Sequence, residues 1–118
     1  MGSGRAAAGQ MRRGDLVLVR EPNTPASKAR PYVVIQRDSA LADPIRVTGC
    51  PLTSHLRGAE GQRPFVAPTE DNGLRQPSEI QVDIVYTHPI ERIDGVIGRL
   101  DSATMRLVDE GVRRWLAL

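Results

Sequence analysis

Short apolar runs separated by turn-forming residues dominate the first two thirds of the chain. The first run follows Gly14-Asp15 and stops before Pro22, a pattern typical of a buried strand followed by a loop. The later runs are rich in β-branched and aromatic side chains, which favour strands. The pattern predicts four strands, at residues 16–19, 30–35, 46–52 and 65–67.

In the last third of the chain the spacing of the apolar residues changes. Residues 80–85 alternate apolar and polar side chains, which predicts a fifth strand with Gln81 and Asp83 on one face. Residues 96–98 predict a short final strand. Asp101 has the chemistry of a helix N-cap, and apolar residues then recur at helical spacing. The residues of this apolar face are Met105, Val108, Val112, Trp115 and Leu116.

These elements predict a mainly β fold with a C-terminal helix, in which a small, strongly curved barrel of antiparallel strands packs against the helix. A chain of 118 residues is the size of one compact domain. Residues 1–10 precede a second start-like Met11 and have the composition of an artificial leader, so we expect the single domain to span residues 11–118.

Composition narrows the function classes. The single cysteine, Cys50, excludes an internal disulfide framework and is typical of a reducing cytoplasm. No apolar run reaches the roughly 18 residues of a membrane span. Residues 11–63 carry nine Lys/Arg against five Asp/Glu, whereas residues 64–118 carry six against nine. This asymmetry favours an anionic ligand bound mainly by the first half, although chance would explain it equally well.

Six short motifs are distributed over residues 11–118. They are RRGDL (residues 12–16), ARPYVVI (29–35), PLTS (51–54), NGL with PS (72–74, 77–78), VD (82–83) and IGRL (97–100). Each alone is a weak signal, but their order and spacing are specific. In that order they resemble the motifs of the MazF/PemK toxin family.

The resemblance implies an SH3-like barrel of the MazF/PemK/CcdB type that forms a homodimer. It also implies a ribosome-independent, sequence-selective endoribonuclease that cleaves single-stranded RNA without a metal or cofactor. In that reaction the ribose 2′-hydroxyl attacks the adjacent phosphate. A cognate MazE-like antitoxin would neutralise the toxin in the cytoplasm, with no membrane partner.

The same resemblance assigns candidate site residues. Arg30 matches the family's catalytic arginine, whose guanidinium can contact two phosphate oxygens, and Thr53 matches the active-site threonine. The candidate RNA-binding residues are Ser54, His55, Arg57, Gln81 and Asp83. Arg63 joins Arg57 as a candidate for contact with the RNA backbone.

Other interpretations of these residues stay open. One branch of the family uses an Arg and an Asp two residues apart plus a loop histidine, but Gln81 replaces that Arg here and residues 21–29 contain no histidine. Without the resemblance, Arg30 would be a solvated arginine and Thr53 a turn residue. We expect His55 in a surface loop, His88 in a connecting turn and Cys50 in the core.

Two further functions remain as alternatives. A related toxin of the same fold binds DNA gyrase without chemistry, and that function would use the C-terminal helix around Trp115 as a protein-binding surface. The apolar helix face is otherwise expected to be core or dimer contact. Gln81 leaves room for an RNA-binding module without catalytic activity.

Overall fold

The computed structural model describes residues 11–22, 28–58 and 62–118, and the expected leader at residues 1–10 lies outside these ranges. The described part contains seven strands and one α-helix, which confirms the mainly β fold with a C-terminal helix. Their bounds are β1 Asp15–Val19, β2 Arg30–Val34, β3 Arg46–Thr53, β4 Phe65–Val66, β5 Ser78–Ile80, β6 Tyr86–Pro89, β7 Ile93–Arg99 and α1 Ser102–Leu116. Two 3-10 turns occupy Asp38–Leu41 and Ile90–Arg92.

The longest strand, β3, organises the antiparallel sheet. Its neighbour on one edge is β2, which leads through β1 to β7. Its other edge is shared by β6, opposite the first half of β3, and by β5, opposite its end. The short strand β4 completes the sheet beside β5. The end of β3 that carries Thr53 therefore lies between β2 and β5.

The predicted fifth strand at residues 80–85 is wrong. Ile80 pairs with Leu52, whereas Tyr86 pairs with Gly49, so six steps along this segment match only three along β3. The surplus residues leave the sheet as a bulge, with the Val82 N–H donating to the Ile80 carbonyl oxygen and the Ile84 N–H to that of Gln81. The alternating pattern arose because Val82 is buried within this bulge.

The core lies on both faces of the sheet, because successive strand residues point in opposite directions. One cluster packs between the sheet and the 3-10 turns and includes Val17, Tyr32 and Val34. The other includes Leu16, Val33 and Leu52 and is covered by α1 through Val108. Both runs 16–19 and 32–34 are therefore almost continuously apolar, as strands buried on two faces are.

The C-terminal helix begins where the sequence predicts. The Asp101 carboxylate accepts a 2.7 Å hydrogen bond from the Thr104 backbone N–H, as an N-cap does. Val108 is fully buried, and Met105 and Val112 pack beside it. Trp115 is 61% exposed, so it lies outside the core of this chain, and its expected role as a dimer contact stays a prediction. No helix in the described ranges is long and apolar enough to cross a bilayer.

Two of the family motifs contact each other through their backbones. The Arg99 N–H donates to the Asp71 carbonyl oxygen at 2.8 Å, which brings the IGRL segment against the NGL turn. A Cβ at Gly98 would lie 2.3 Å from the Asn72 carbonyl carbon, and one at Gly73 would lie 2.1 Å from the Ile97 carbonyl oxygen. Glycine is thus required here for close approach rather than for chemistry.

We expect Gly98→Ala to lower the free energy of unfolding by about 1–3 kcal/mol, because the added methyl group meets backbone that cannot rotate away. Chemical denaturation monitored by circular dichroism measures the change. Gly95→Ala is the control, because a Cβ there meets nothing within 4 Å and adds only backbone strain at a φ of +146°. A Gly98→Ala protein as stable as the Gly95→Ala protein would contradict the packing argument.

Candidate active site

Arg30 and Thr53 lie at adjoining ends of β2 and β3. The register pairs Tyr32 with Pro51 and Val34 with Gly49, and continuing it by two residues places Arg30 opposite Thr53. Directly opposed residues of an antiparallel pair project from the same face. Because Thr53 in turn pairs with Glu79 of β5, Arg30, Thr53 and Glu79 form a row across three strands.

The guanidinium of Arg30 is held from two sides. Its Nη2 donates to the Gln81 side-chain oxygen at 3.0 Å, and its Nη1 lies 3.6 Å from a Glu21 carboxylate oxygen. The side chain is nevertheless 39% exposed. A guanidinium carries five N–H donors, so these contacts orient the group while leaving donors for a ligand. Arg30 is therefore a partly exposed arginine whose guanidinium is oriented by its neighbours.

Glu21 is anchored in turn by a buried tyrosine. The Tyr32 hydroxyl donates to a Glu21 carboxylate oxygen at 2.7 Å. Burial, and then this hydrogen bond, raise the pKa of Tyr32 well above its usual value, so the hydroxyl remains a donor at neutral pH. The sequence analysis missed both residues, and the only signal for Tyr32 was its place two residues after Arg30 in the same strand.

Thr53 begins the turn that leaves β3. Its hydroxyl oxygen accepts a 3.0 Å hydrogen bond from the His55 backbone N–H, and this bond closes an ST turn. The hydroxyl proton is still available to donate, because a threonine hydroxyl both accepts and donates. Ser54 and His55 are exposed on this turn, so the surface-loop expectation for His55 is confirmed.

Glu79 fixes the path of the chain beyond that turn. Its buried carboxylate accepts hydrogen bonds from the backbone N–H groups of Arg57, at 3.1 Å, and Gly58, at 2.9 Å. These bonds hold the pKa of Glu79 below its usual value. A charged residue in an apolar strand was the available signal, and sequence analysis did not use it. The backbone that carries the exposed Arg57 side chain is thereby held next to β5.

Asp83 is not in contact with Arg30. It forms a bidentate ion pair with Arg63, whose Nε and Nη2 donate to the two Asp83 carboxylate oxygens at 2.9 and 3.0 Å. The Arg63 hydrogen bonds lower the pKa of Asp83. Gln81 and Asp83 were expected on one face of a strand, but the bulge sends Gln81 to Arg30 and Asp83 to Arg63. That expectation is wrong because no strand continues past Ile80.

His88 is a buried strand residue rather than part of a turn, so that expectation is also wrong. It pairs with Val47 across β6 and β3. Its ring stacks on Tyr86 at 4.4 Å between centroids and meets the Tyr32 ring edge-on at 4.9 Å. Burial lowers the pKa of His88, and Nε2 has no hydrogen-bond partner among the described residues. His88 therefore supports the ring of Tyr32.

Cys50 is fully buried, as expected, and burial raises its pKa to about 12, which makes it a poor nucleophile. Within residues 11–22, 28–58 and 62–118, no three His, Cys, Asp or Glu side chains cluster in a way that could bind a metal ion. The candidate residues Arg30 and Thr53 carry an oriented guanidinium and a hydroxyl, groups suited to binding phosphate oxygens.

A family model described as PemK-like, MazF-like toxin of type II toxin-antitoxin system matches residues 12–116, and the chain belongs to this family. Over 73 residues it is 34% identical to Endoribonuclease MazF3 of Mycobacterium tuberculosis, covering 62% of this chain and 68% of that protein. The resemblance in the sequence motifs is thus confirmed.

Solved structures share the fold. The Mycobacterium tuberculosis toxin MazF-mt6 matches with a TM-score of 0.73 and 25% identity, over 88% of this chain and 97% of that one. A MazE-MazF structure from Deinococcus radiodurans matches with a TM-score of 0.72 over 92% and 97% of the two chains. At 15% identity the second match supports the fold alone.

The Arg63–Asp83 pair should make stability depend on pH. The pKa of Asp83 is lower in the folded chain than in the unfolded chain, so the pair stabilises the fold above about pH 4 and the contribution is lost as pH falls through the lowered pKa. We expect Asp83→Asn to cost about 1–2 kcal/mol at pH 7. Denaturation at pH 7 and pH 3 should show a smaller difference from the unchanged protein at pH 3 than at pH 7.

Asp43→Asn is the matched control, because Asp43 is exposed and has no ion pair within the described residues. A deficit of Asp83→Asn that persists undiminished at pH 3 would mean that packing, rather than the ion pair, is what the carboxylate contributes.

Proposed function

We propose that this protein is a ribosome-independent endoribonuclease toxin that cleaves single-stranded RNA selectively by sequence and without a metal ion. Membership of the PemK-like, MazF-like toxin family and the 34% identity to a protein named as an endoribonuclease support the activity. The site assignment is supported by the strand register that sets Arg30, oriented by Gln81, opposite Thr53.

In the proposed reaction the ribose 2′-oxygen attacks the neighbouring phosphorus while the bond from phosphorus to the 5′-oxygen breaks. The products are a 2′,3′-cyclic phosphate and a 5′-hydroxyl. Arg30 donates to the phosphoryl oxygens as their negative charge grows, and the Thr53 hydroxyl donates to the same group. Because the guanidinium is already held by Gln81 and Glu21, little reorganisation is needed when the charge develops.

The 2′-hydroxyl must lose a proton and the leaving oxygen must gain one. Asp83 is poorly placed for either transfer because Arg63 occupies both of its carboxylate oxygens. His55 lies two residues from Thr53 on an exposed turn and carries an imidazole, so it is the better placed of the two groups for a proton transfer. Ser54, Arg57 and Gln81 then line the path of the RNA on either side of the catalytic pair.

The proposal includes a homodimer, a cytoplasmic location and a cognate MazE-like antitoxin. A mycobacterial endoribonuclease in complex with its cognate antitoxin shares the fold, with a TM-score of 0.68, as does MazE-MazF from Deinococcus radiodurans. Exposed apolar side chains away from the catalytic pair, such as Ile45 and Leu107, are available for contact with a second copy. The gyrase-binding alternative is not favoured, because the relatives found are toxins and endoribonucleases of the MazF type.

The direct test is incubation of the purified protein with a long single-stranded RNA in EDTA, followed by mapping of the cut ends. We expect discrete cuts that leave cyclic or 3′-phosphate ends and 5′-hydroxyl ends. Arg30→Ala should reduce the rate at least about 100-fold, the usual cost of losing one donor to a developing oxyanion. Thr53→Ala, which removes a neutral donor, should cost roughly 10-fold.

Arg46→Ala is the matched control, because Arg46 is an exposed arginine at the opposite end of the strand that carries Thr53. It should cleave at the unchanged rate. No cutting of diverse RNAs by the unchanged protein, or full activity of Arg30→Ala, would overturn the proposed mechanism. Toxicity that survives Arg30→Ala would instead favour binding to gyrase.

Tyr32 holds Glu21 through a hydrogen bond, and Glu21 in turn lies beside Arg30. We expect these contacts to affect the turnover rate rather than RNA binding. We expect Tyr32→Phe and Glu21→Gln each to lower kcat by about 3- to 10-fold, as loss of one orienting hydrogen bond would, with little change in KM. If Tyr32 acts only through Glu21, the double variant should be no slower than Glu21→Gln alone. Effects that multiply in the double variant would contradict a shared path.

A further inference from the structure

A cavity of about 300 Å³ lies beside the candidate active site and has no role in the proposed cleavage step. It is enclosed by the segment that follows Thr53, by the bulge after β5 and by the C-terminal half of α1. Its floor is apolar where α1 comes closest to the bulge, since a Cβ at Gly111 would lie 2.8 Å from a Val82 methyl carbon. The volume is suited to one flat ring system with its sugar.

One wall is formed by Trp115, the only tryptophan in the chain. Its indole is 61% exposed although tryptophan has a large apolar surface. An exposed indole at the edge of a hollow offers a flat π-face, on which nucleobases of any sequence stack. The helix therefore turns its one large aromatic ring towards the cavity rather than into the core.

The charges on the rim favour an anionic ligand. Arg63 is paired with Asp83, and the Glu79 carboxylate is occupied by two backbone N–H groups. Arg57 and Arg114 also line the cavity, and neither guanidinium has an ion pair within the described ranges. Two available arginines beside an aromatic face have the chemistry of a nucleotide site. A purely apolar peptide bound in the cavity would leave both arginine charges without a partner.

The cavity is lined by residues that lie a few positions along the chain from the catalytic pair and its contacts. Gln81 contacts Arg30, and Asp83 lines the cavity only two residues further along the same bulge, so their Cα atoms are at most about 7.6 Å apart. On the other side, Arg57 follows Thr53 by four positions, and the backbone N–H groups of Arg57 and Gly58 donate to the Glu79 carboxylate. An RNA strand with its phosphate at Arg30 can therefore place a neighbouring nucleotide in the cavity.

We propose that this cavity is a specificity subsite that binds one nucleobase flanking the scissile phosphate, stacked on Trp115, with the adjoining backbone phosphate contacted by Arg57 and Arg114. This inference rests on the proposed nuclease function and extends it. It gives the C-terminal helix a role in choosing the RNA sequence, while Arg30 and Thr53 carry out the cleavage.

Because the chain has a single tryptophan, its fluorescence reports on this site alone. The probe is an RNA oligonucleotide containing a mapped cleavage site, made uncleavable by a 2′-deoxy substitution there, and its total binding is followed by fluorescence anisotropy of an end label. We expect saturating RNA to quench Trp115 emission. An abasic residue at one flanking position should abolish the quenching and weaken binding by roughly 5- to 100-fold, the usual range for loss of one stacked base.

Trp115→Ala should show the same loss of affinity for the intact oligonucleotide and no additional loss for the abasic one. Trp115→Phe, which keeps a flat ring, should retain most of the binding and the preference at that position. Circular dichroism confirms folding of both variants. The coupling between one side chain and one base is the result that a merely structural role for Trp115 would not produce.

Three results would overturn the subsite. RNA could bind fully by anisotropy without changing Trp115 emission, or Trp115→Ala could cleave with unchanged preference at every flanking position. Emission could also shift with protein concentration in the absence of RNA, which would mean that a second copy covers the cavity. In each case cleavage by the unchanged protein would persist, whereas failure of the nuclease proposal itself would appear as no cleavage.

Discussion

Two strands share one edge of β3, and the surplus residues between them determine the arrangement of the site. Because β5 and β6 pair with β3 in registers that differ by three residues, the segment between them must leave the sheet. Its three leading side chains then diverge: Gln81 contacts Arg30, Val82 packs against α1 and Asp83 pairs with Arg63. A continuous strand would have placed Gln81 and Asp83 on the same face and left no wall for the cavity beside α1.

The distribution of ion pairs decides which arginines remain available to a ligand. Arg63 forms a bidentate ion pair with the Asp83 carboxylate, so its charge contributes to the stability of the fold. Arg30 lies near Glu21 at 3.6 Å and donates to a neutral amide, so it is oriented without being fully neutralised. The modest net charge of +2 thus understates the local positive potential, because pairing removes some arginines and leaves others at the site.

Sequence analysis succeeded where the signal is local. Apolar runs predicted β1, β2 and β3, and the carboxylate of Asp101 followed by helical spacing predicted the start of α1. It failed at residues 80–85 because strand alternation and a bulge with one buried residue produce the same pattern over a few positions. The contacts of Glu21 with Arg30, and of Glu79 with residues 57–58, join parts of the chain whose proximity depends on strand register, which no local pattern specifies.

The family motifs fall into two groups, one with a structural role and one that carries the candidate site residues. The glycines of the NGL and IGRL segments allow two backbones to touch, and this contact holds the turn before β5 against β7, just ahead of the helix. The ARPYVVI and PLTS segments carry the guanidinium and the hydroxyl, and the register of β2 and β3, continued by two residues, sets Arg30 opposite Thr53. Trp115 belongs to neither set and lies on the helix that follows the IGRL segment. A side chain outside the motifs, held on a shared scaffold, is where members of one fold can differ in what they bind.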